Sequence, residues 1–146
     1  MTEADFLTAA FTAAKAAGHI FPDWAACEAA HASKFGTIPA AVKGNNLFDF
    51  RVPAKRGPGT LTIPMEHASK LVMRLRFPSW EDCFRHRAQW MQAVTMFYLV
   101  RRAKTGEDYI AEMNKLASDP ENYRVKVKAI HDANEVLFNE HAGIGG

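Results

Sequence analysis

Near the N-terminus, Phe6, Leu7, Ala10, Phe11 and Ala14 fall on one stripe at helical spacing. Thr2 followed by Asp5 supplies a capping signal and Gly18 a stop, which predicts a helix to about Ala17. Pro22-Asp23 opens a second helix, Trp24 to about Phe35, with Gly36 as its stop. A short helical turn follows at Pro39 to Lys43, and Gly44-Asn45-Asn46 breaks it. The period then changes. Leu47-Phe-Asp-Phe-Arg-Val52 alternates apolar and polar residues as a half-buried strand does, Pro53 to Gly59 is rich in turn formers, and Leu61-Thr-Ile63 resumes the strand pattern. These pieces predict a hairpin with a long tip, and Leu71 to Phe77 a third strand. Helical spacing returns from Ser79, through Trp80, Phe84, Met91, Val94 and Tyr98, to about Ala103. Ser79 is its cap, with Glu81 and Asp82 in the first turn, where negative charge suits the helix dipole. Thr105 with Asp108 predicts a helix from Asp108 to about Leu116, and Ser118-Asp119-Pro120 a last one from Glu121 to about Phe138. The tail from about 140 to 146 is expected to fray. The sum is a single domain over 1–146 of the α+β class, mainly α, with a small antiparallel hairpin or three-stranded sheet.

Composition narrows the functional classes. The 146 residues suffice to bury a core without metal or disulfides. A net charge of +2, from 18 basic and 16 acidic residues, is too balanced for a nucleic-acid footprint. Helical spacing explains Arg101, Arg102 and Lys104, and later Arg124, Lys126 and Lys128, as solvated faces. Cys27 and Cys83 lie in apolar-periodic stretches and read as buried free thiols. No run approaches the roughly 18 apolar residues of a membrane span. The acidic start Met1 to Asp5 lacks the order of a signal peptide, so synthesis in the cytoplasm and delivery by another route are expected. Phosphate loops, dinucleotide fingerprints and zinc motifs are missing. Glu28 and His31 share a helix face without further ligands, so neither metal nor cofactor is expected. Trp24, Trp80 and Trp90 read as core, because aromatic stripes on helices usually face inward.

One stretch carries chemistry: Ala26-Cys-Glu-Ala-Ala-His-Ala-Ser-Lys-Phe-Gly36, followed by Asn45-Asn46-Leu47-Phe48. It resembles the glucosaminidase domain of glycoside hydrolase family 73, found in flagellar rod assembly proteins, autolysins and phage lysins. That family shows an Ala-rich helix ending Leu-Glu-Ser-Gly-Trp/Tyr-Gly, then Asn-Asn-Leu-Phe-Gly. Phe77-Pro-Ser-Trp-Glu-Asp-Cys-Phe84 and Leu116-Ala-Ser-Asp-Pro-x-x-Tyr123 resemble two further family segments, in the family's order. The resemblance implies a lysozyme-like fold, with the glycan strands of peptidoglycan as substrate. It also implies hydrolysis by a carboxylic acid whose pKa is raised, assisted by a second carboxylate. By the same resemblance Asn46, Phe48, Tyr123 and His31 are candidate glycan-binding residues, and action at the bacterial cell wall or periplasm is expected.

The chain departs from that pattern where it matters most. The family's catalytic Glu falls on Ala32, its glycine after Asn-Asn-Leu-Phe on Asp49, and a family tyrosine on Leu116. Two explanations follow. Either the acid has moved, with Glu28 one helical turn earlier as general acid and Glu66, after the hairpin strand, as second carboxylate, Asp49 lying nearby. Or the chain is a pseudoenzyme, a glycan- or protein-binding module of a phage particle or an envelope assembly.

Overall fold

The computed structural model describes residues 1–52, 62–67 and 70–145 of the chain. Helix α1 (Glu3–Ala16) begins with a capping box, in which the Thr2 hydroxyl accepts from the Asp5 amide and the Asp5 carboxylate accepts from the Thr2 amide. Its buried face is the stripe read from the sequence, Phe6, Leu7, Ala10, Phe11 and Ala14. Helix α2 (Pro22–Ser33) packs against it. Trp24 through Ala30, and Ser33, are all buried, so α2 is enclosed on nearly every side by its neighbours. Its alanines make this possible, because small side chains let helices approach closely.

After α3 (Pro39–Gly44), strands β1 (Thr62–His67) and β2 (Lys70–Leu75) form one antiparallel pair, Thr62 opposite Leu75 and His67 opposite Lys70. Helix α4 (Trp80–Ala93), a 3-10 turn at Thr95–Phe97 and α5 (Tyr98–Arg101) come next. Then follow α6 (Gly106–Leu116), α7 (Pro120–Ala133) and α8 (Glu135–Gly145). The class is as expected: mainly helical, with a small hairpin. α2 also packs against α7, α4 against α1, α6 against α7, and α8 against α1.

Several local expectations are corrected. Residues 47–52 form no strand; only Arg51 bridges to Arg74, antiparallel, beside the pair. Asn46 and a left-handed Asp49 curl this segment into a turn despite its alternating pattern. The hairpin is instead the one between 62–67 and 70–75, and the expected tip at Pro53–Gly59 lies outside the described residues. Helix α2 stops at Ser33, ahead of Phe35, because Lys34, Phe35 and Gly36 all take positive φ (49°, 56° and 80°). The helix expected to reach Ala103 breaks at Val94, which is extended, and Arg101 donates to the carbonyls of Met91 and Val94 that the break exposes. The last helix divides at Asn134, whose side-chain amide donates back to the Ile130 carbonyl. Beyond it, α8 carries helical backbone into the stretch where fraying is expected.

Two glycines sit where a side chain would collide. A Cβ on Gly106 would lie 1.9 Å from the indole nitrogen of Trp24, and one on Gly36, itself at positive φ, 3.1 Å from the ring of Phe6. Trp24 in turn stacks on His131 at 4.0 Å, and His131 hydrogen-bonds Asp23, which fastens α7 to the start of α2. Cys27 and Cys83 are buried free thiols; burial pushes both pKa values up, that of Cys83 to about 12. They are therefore packing residues and poor nucleophiles.

Candidate functional site

An open cleft of about 440 Å³ runs between the 48–51 turn, the end of α4 and the α6–α7 junction. Phe48, Trp90, Met113 and Leu116 give it an apolar wall, and His31, Asp49, Arg51 and Asp119 bring polar groups to its edge. Such a lining, apolar with a few convergent polar groups, suits a small amphipathic ligand.

Beneath the cleft lies a buried polar cluster centred on Glu28. Arg87 from α4 donates to both its carboxylate oxygens, at 3.1 and 2.8 Å, and the phenols of Tyr109 and Tyr123 each donate to one of them. Arg87 also donates to the Tyr109 hydroxyl and stacks over Phe48, 4.2 Å from the ring centre. The cluster ties together α2, α4, α6 and α7. Among the described residues, every buried side-chain nitrogen and oxygen has a partner.

The electrostatics follow from this geometry. Burial opposes charge on Glu28, but the Arg87 guanidinium and the four hydrogen bonds outweigh it, so the Glu28 pKa is lowered. Burial raises the pKa of both tyrosines, with the Glu28 charge adding to the effect, so both phenols remain neutral donors. A general acid needs the reverse, a carboxyl that holds its proton at working pH. The site's arrangement therefore makes Glu28 an ionised anchor.

The other expected residues divide. Ala32 is exposed in the last turn of α2. His31 lines the cleft and meets the Tyr123 ring edge-on at 5.6 Å; burial and then the Lys126 charge lower its pKa, which keeps the imidazole neutral at pH 7. Phe48 and Tyr123 also line the cleft, though the Tyr123 hydroxyl is committed to Glu28. Asn46 is fully buried; its amide donates to the Phe50 and Leu75 carbonyls and accepts from the Phe50 amide. It is a backbone clamp that holds the 46–50 turn against β2, and it is not free to hold a ligand. Glu66 lies on β1 opposite Leu71 in backbone register, and its side chain is outside the described residues. Asp49 pairs with Arg74 at 2.9 Å and Asp119 accepts from the Asn122 amide; both are exposed.

Sequence reasoning missed three residues of this site. Arg87 and Tyr109 left no trace in periodicity, because both sit on apolar helix faces and their partner is distant in sequence. Trp90 was expected in the core, yet it is 40% exposed and lines the cleft, whereas Trp24 is 4% exposed. Among the described residues no three His, Cys, Asp or Glu side chains converge to hold a metal ion. Nor is any described helix long and apolar enough to cross a membrane.

Residues 8–136 match the glucosaminidase family, described as mannosyl-glycoprotein endo-beta-N-acetylglucosaminidase. The glycoside hydrolase domain of FlgJ from Salmonella typhimurium has a similar structure, with a TM-score of 0.75 at 18% identity, over 97% of this chain and 94% of that one. The catalytic domain of the autolysin Auto from Listeria monocytogenes gives 0.70 at 18% identity, over 92% and 85%. A peptidoglycan hydrolase mutant from Sphingomonas sp. A1 gives 0.68 at 17% identity, over 96% and 99%. No curated protein sequence matches the chain.

Proposed function

This chain belongs to the glucosaminidase family of glycoside hydrolases, and on that premise we propose that it binds the glycan strands of peptidoglycan in its cleft with the hydrolytic step impaired. The observation that carries the proposal is the state of α2. Its family acid position is Ala32, and Glu28, the one carboxylate between Trp24 and Ser33, is held ionised by Arg87. A side chain one turn from the required place is about 5–6 Å away along the helix. Misplacement by about 1 Å alone can cost roughly 100-fold in rate.

The cleft still suits binding. His31, Phe48 and Tyr123 line it, and the exposed carboxylates Asp49 and Asp119 sit at its edge. Asp49 is paired with Arg74 and Asp119 accepts from the Asn122 amide. Glu66 on β1 remains the candidate second carboxylate for an acid restored at position 32. Under this reading the protein acts at the bacterial cell wall, wherever its delivery route takes it. A second reading, docking of a phage or envelope partner protein, is favoured by exposed Met96, Tyr98 and Leu99 around the 3-10 turn and α5.

The test uses purified peptidoglycan, with co-sedimentation for binding and reducing-sugar release for hydrolysis. The chain should co-sediment and release little sugar. Ala32→Glu should co-sediment equally and release sugar, and Ala32→Glu combined with Glu66→Gln should fall silent again. Sugar release by the unaltered chain at the level of Ala32→Glu places the acid elsewhere and overturns the impairment. Failure of the unaltered chain to co-sediment overturns the glycan reading in favour of the protein partner.

A further inference from the structure

Trp90 stands in the last turn of α4, and two aromatic rings hold its indole in place. Phe97, nearly fully buried, meets it edge-on with ring centres 4.6 Å apart, and Phe50 does so at 6.1 Å. Its backbone is equally fixed. The Trp90 carbonyl accepts from Val94, and Arg101 satisfies the carbonyls of Met91 and Val94 just after it. A large aromatic side chain that is 40% exposed on a cleft wall, yet braced from behind, loses little conformational freedom when a ligand covers it.

The surroundings of the indole indicate what covers it. A pyranose ring has an apolar face of C–H groups and a rim of hydroxyls. The negative face of an indole attracts the C–H face, and polar side chains around the platform take the rim. Arg51, Asp49 and Asp119 supply such polar groups in the same cleft. An alkyl chain would find no use for them, and an extended peptide would need an exposed strand edge or a groove of backbone partners.

Taking the glycan reading above as its basis, we infer that Trp90 is a preorganised stacking platform for one hexosamine ring of the bound strand. It is a binding residue and takes no part in bond cleavage. Trp90 comes from α4 and His31 from α2, so the platform and the family acid position stand on different helices.

The test titrates the full chain with a soluble tetramer of β-1,4-linked N-acetylglucosamine, by calorimetry and by tryptophan emission. The unaltered chain is expected to bind, with a change in emission. Trp90→Phe should bind within about threefold while losing that emission change, and Trp90→Ala should bind at least about tenfold more weakly. Thermal melting of each variant separates lost binding from lost fold. If Trp90→Ala misfolds, the emission arm decides alone, because Trp90→Phe that binds and keeps the ligand-induced change overturns the inference. Equal binding by Trp90→Ala and the unaltered chain also overturns it, while leaving the glycan reading intact. If the unaltered chain binds neither the tetramer nor peptidoglycan, the glycan reading and the platform fall together.

Discussion

Arg87 grips both carboxylate oxygens of Glu28 across 59 residues of sequence, and the two side chains are 5% and 0% exposed. Removing one member of such a pair strands the other charge in the interior, at a cost of about 3–5 kcal/mol. Glu28→Gln should therefore lower stability by about that amount in urea unfolding. Glu28→Gln combined with Arg87→Met should recover much of the loss, because no charge is then left unpaired. Loss of wall lysis in Glu28→Gln alone would thus say nothing about catalysis. A stability within about 0.5 kcal/mol of the unaltered chain for Glu28→Gln would refute the anchoring role.

Acid should weaken the fold in two overlapping windows. His19 is buried, with Nε2 bonded to the Phe84 carbonyl, and burial, aided by the Arg87 charge, lowers its pKa from 6.5 to about 4. Between those values the unfolded chain binds a proton that the folded chain refuses, so stability falls as pH drops from about 6.5 towards 4. Glu28 has a lowered pKa too: its contribution is complete above the ordinary value of 4.5 and is lost as pH falls from there through the folded value. Melting temperature against pH checks both. His19→Gln should reduce the slope between 6.5 and 4, where His31 and His86, also lowered by burial, keep their share, and leave the fall below 4.5; an unchanged slope in the upper window would exclude His19 as a source.

Two departures from the family pattern fall on left-handed backbone. By the motif resemblance, Ser-Gly-Tyr-Gly implies a glycine where this chain has Lys34 (φ 49°), and Asn-Asn-Leu-Phe-Gly one where it has Asp49 (φ 53°). A non-glycine residue there costs about 1–2 kcal/mol, partly offset because glycine is freer when unfolded. Lys34→Gly should stabilise the chain by about 0.5–1 kcal/mol, read as a higher denaturation midpoint. Asp49→Gly should gain less, since it also removes the bond to the nearly buried Arg74. A midpoint for Lys34→Gly at or below that of the unaltered chain would show that the left-handed turn is free of strain.

What was legible in the sequence was local. The Thr2–Asp5 capping box, the five-residue stripe of α1 and the Pro22, Ser79 and Thr105 helix starts are chemistry among near neighbours, and the structure has them where the pattern puts them. The misreadings came from tertiary contacts that override a local pattern. The alternation of 47–52 reads as a strand until a buried Asn46 takes the Phe50 amide for itself. Helical spacing continues through Val94, but Arg101, arriving from the next helix, satisfies the carbonyls that a break exposes. At the site, His31, Phe48 and Tyr123, named from motif resemblance, line the cleft. Arg87 and Tyr109 were not named, since a charge and a phenol on an otherwise apolar helix face look alike whether they meet solvent or a buried carboxylate.

The near-complete enclosure of α2 has an evolutionary consequence. Ala32 is exposed in its last turn, while Glu28 is locked beneath the cleft. A mutation at position 32 is almost invisible to folding, whereas one at position 28 is penalised at once. Selection for a folded, abundant protein therefore preserves Glu28 and Arg87 whatever the cleft does, while position 32 is free to change with the demands on the cleft. Two positions one turn apart thus keep separate clocks.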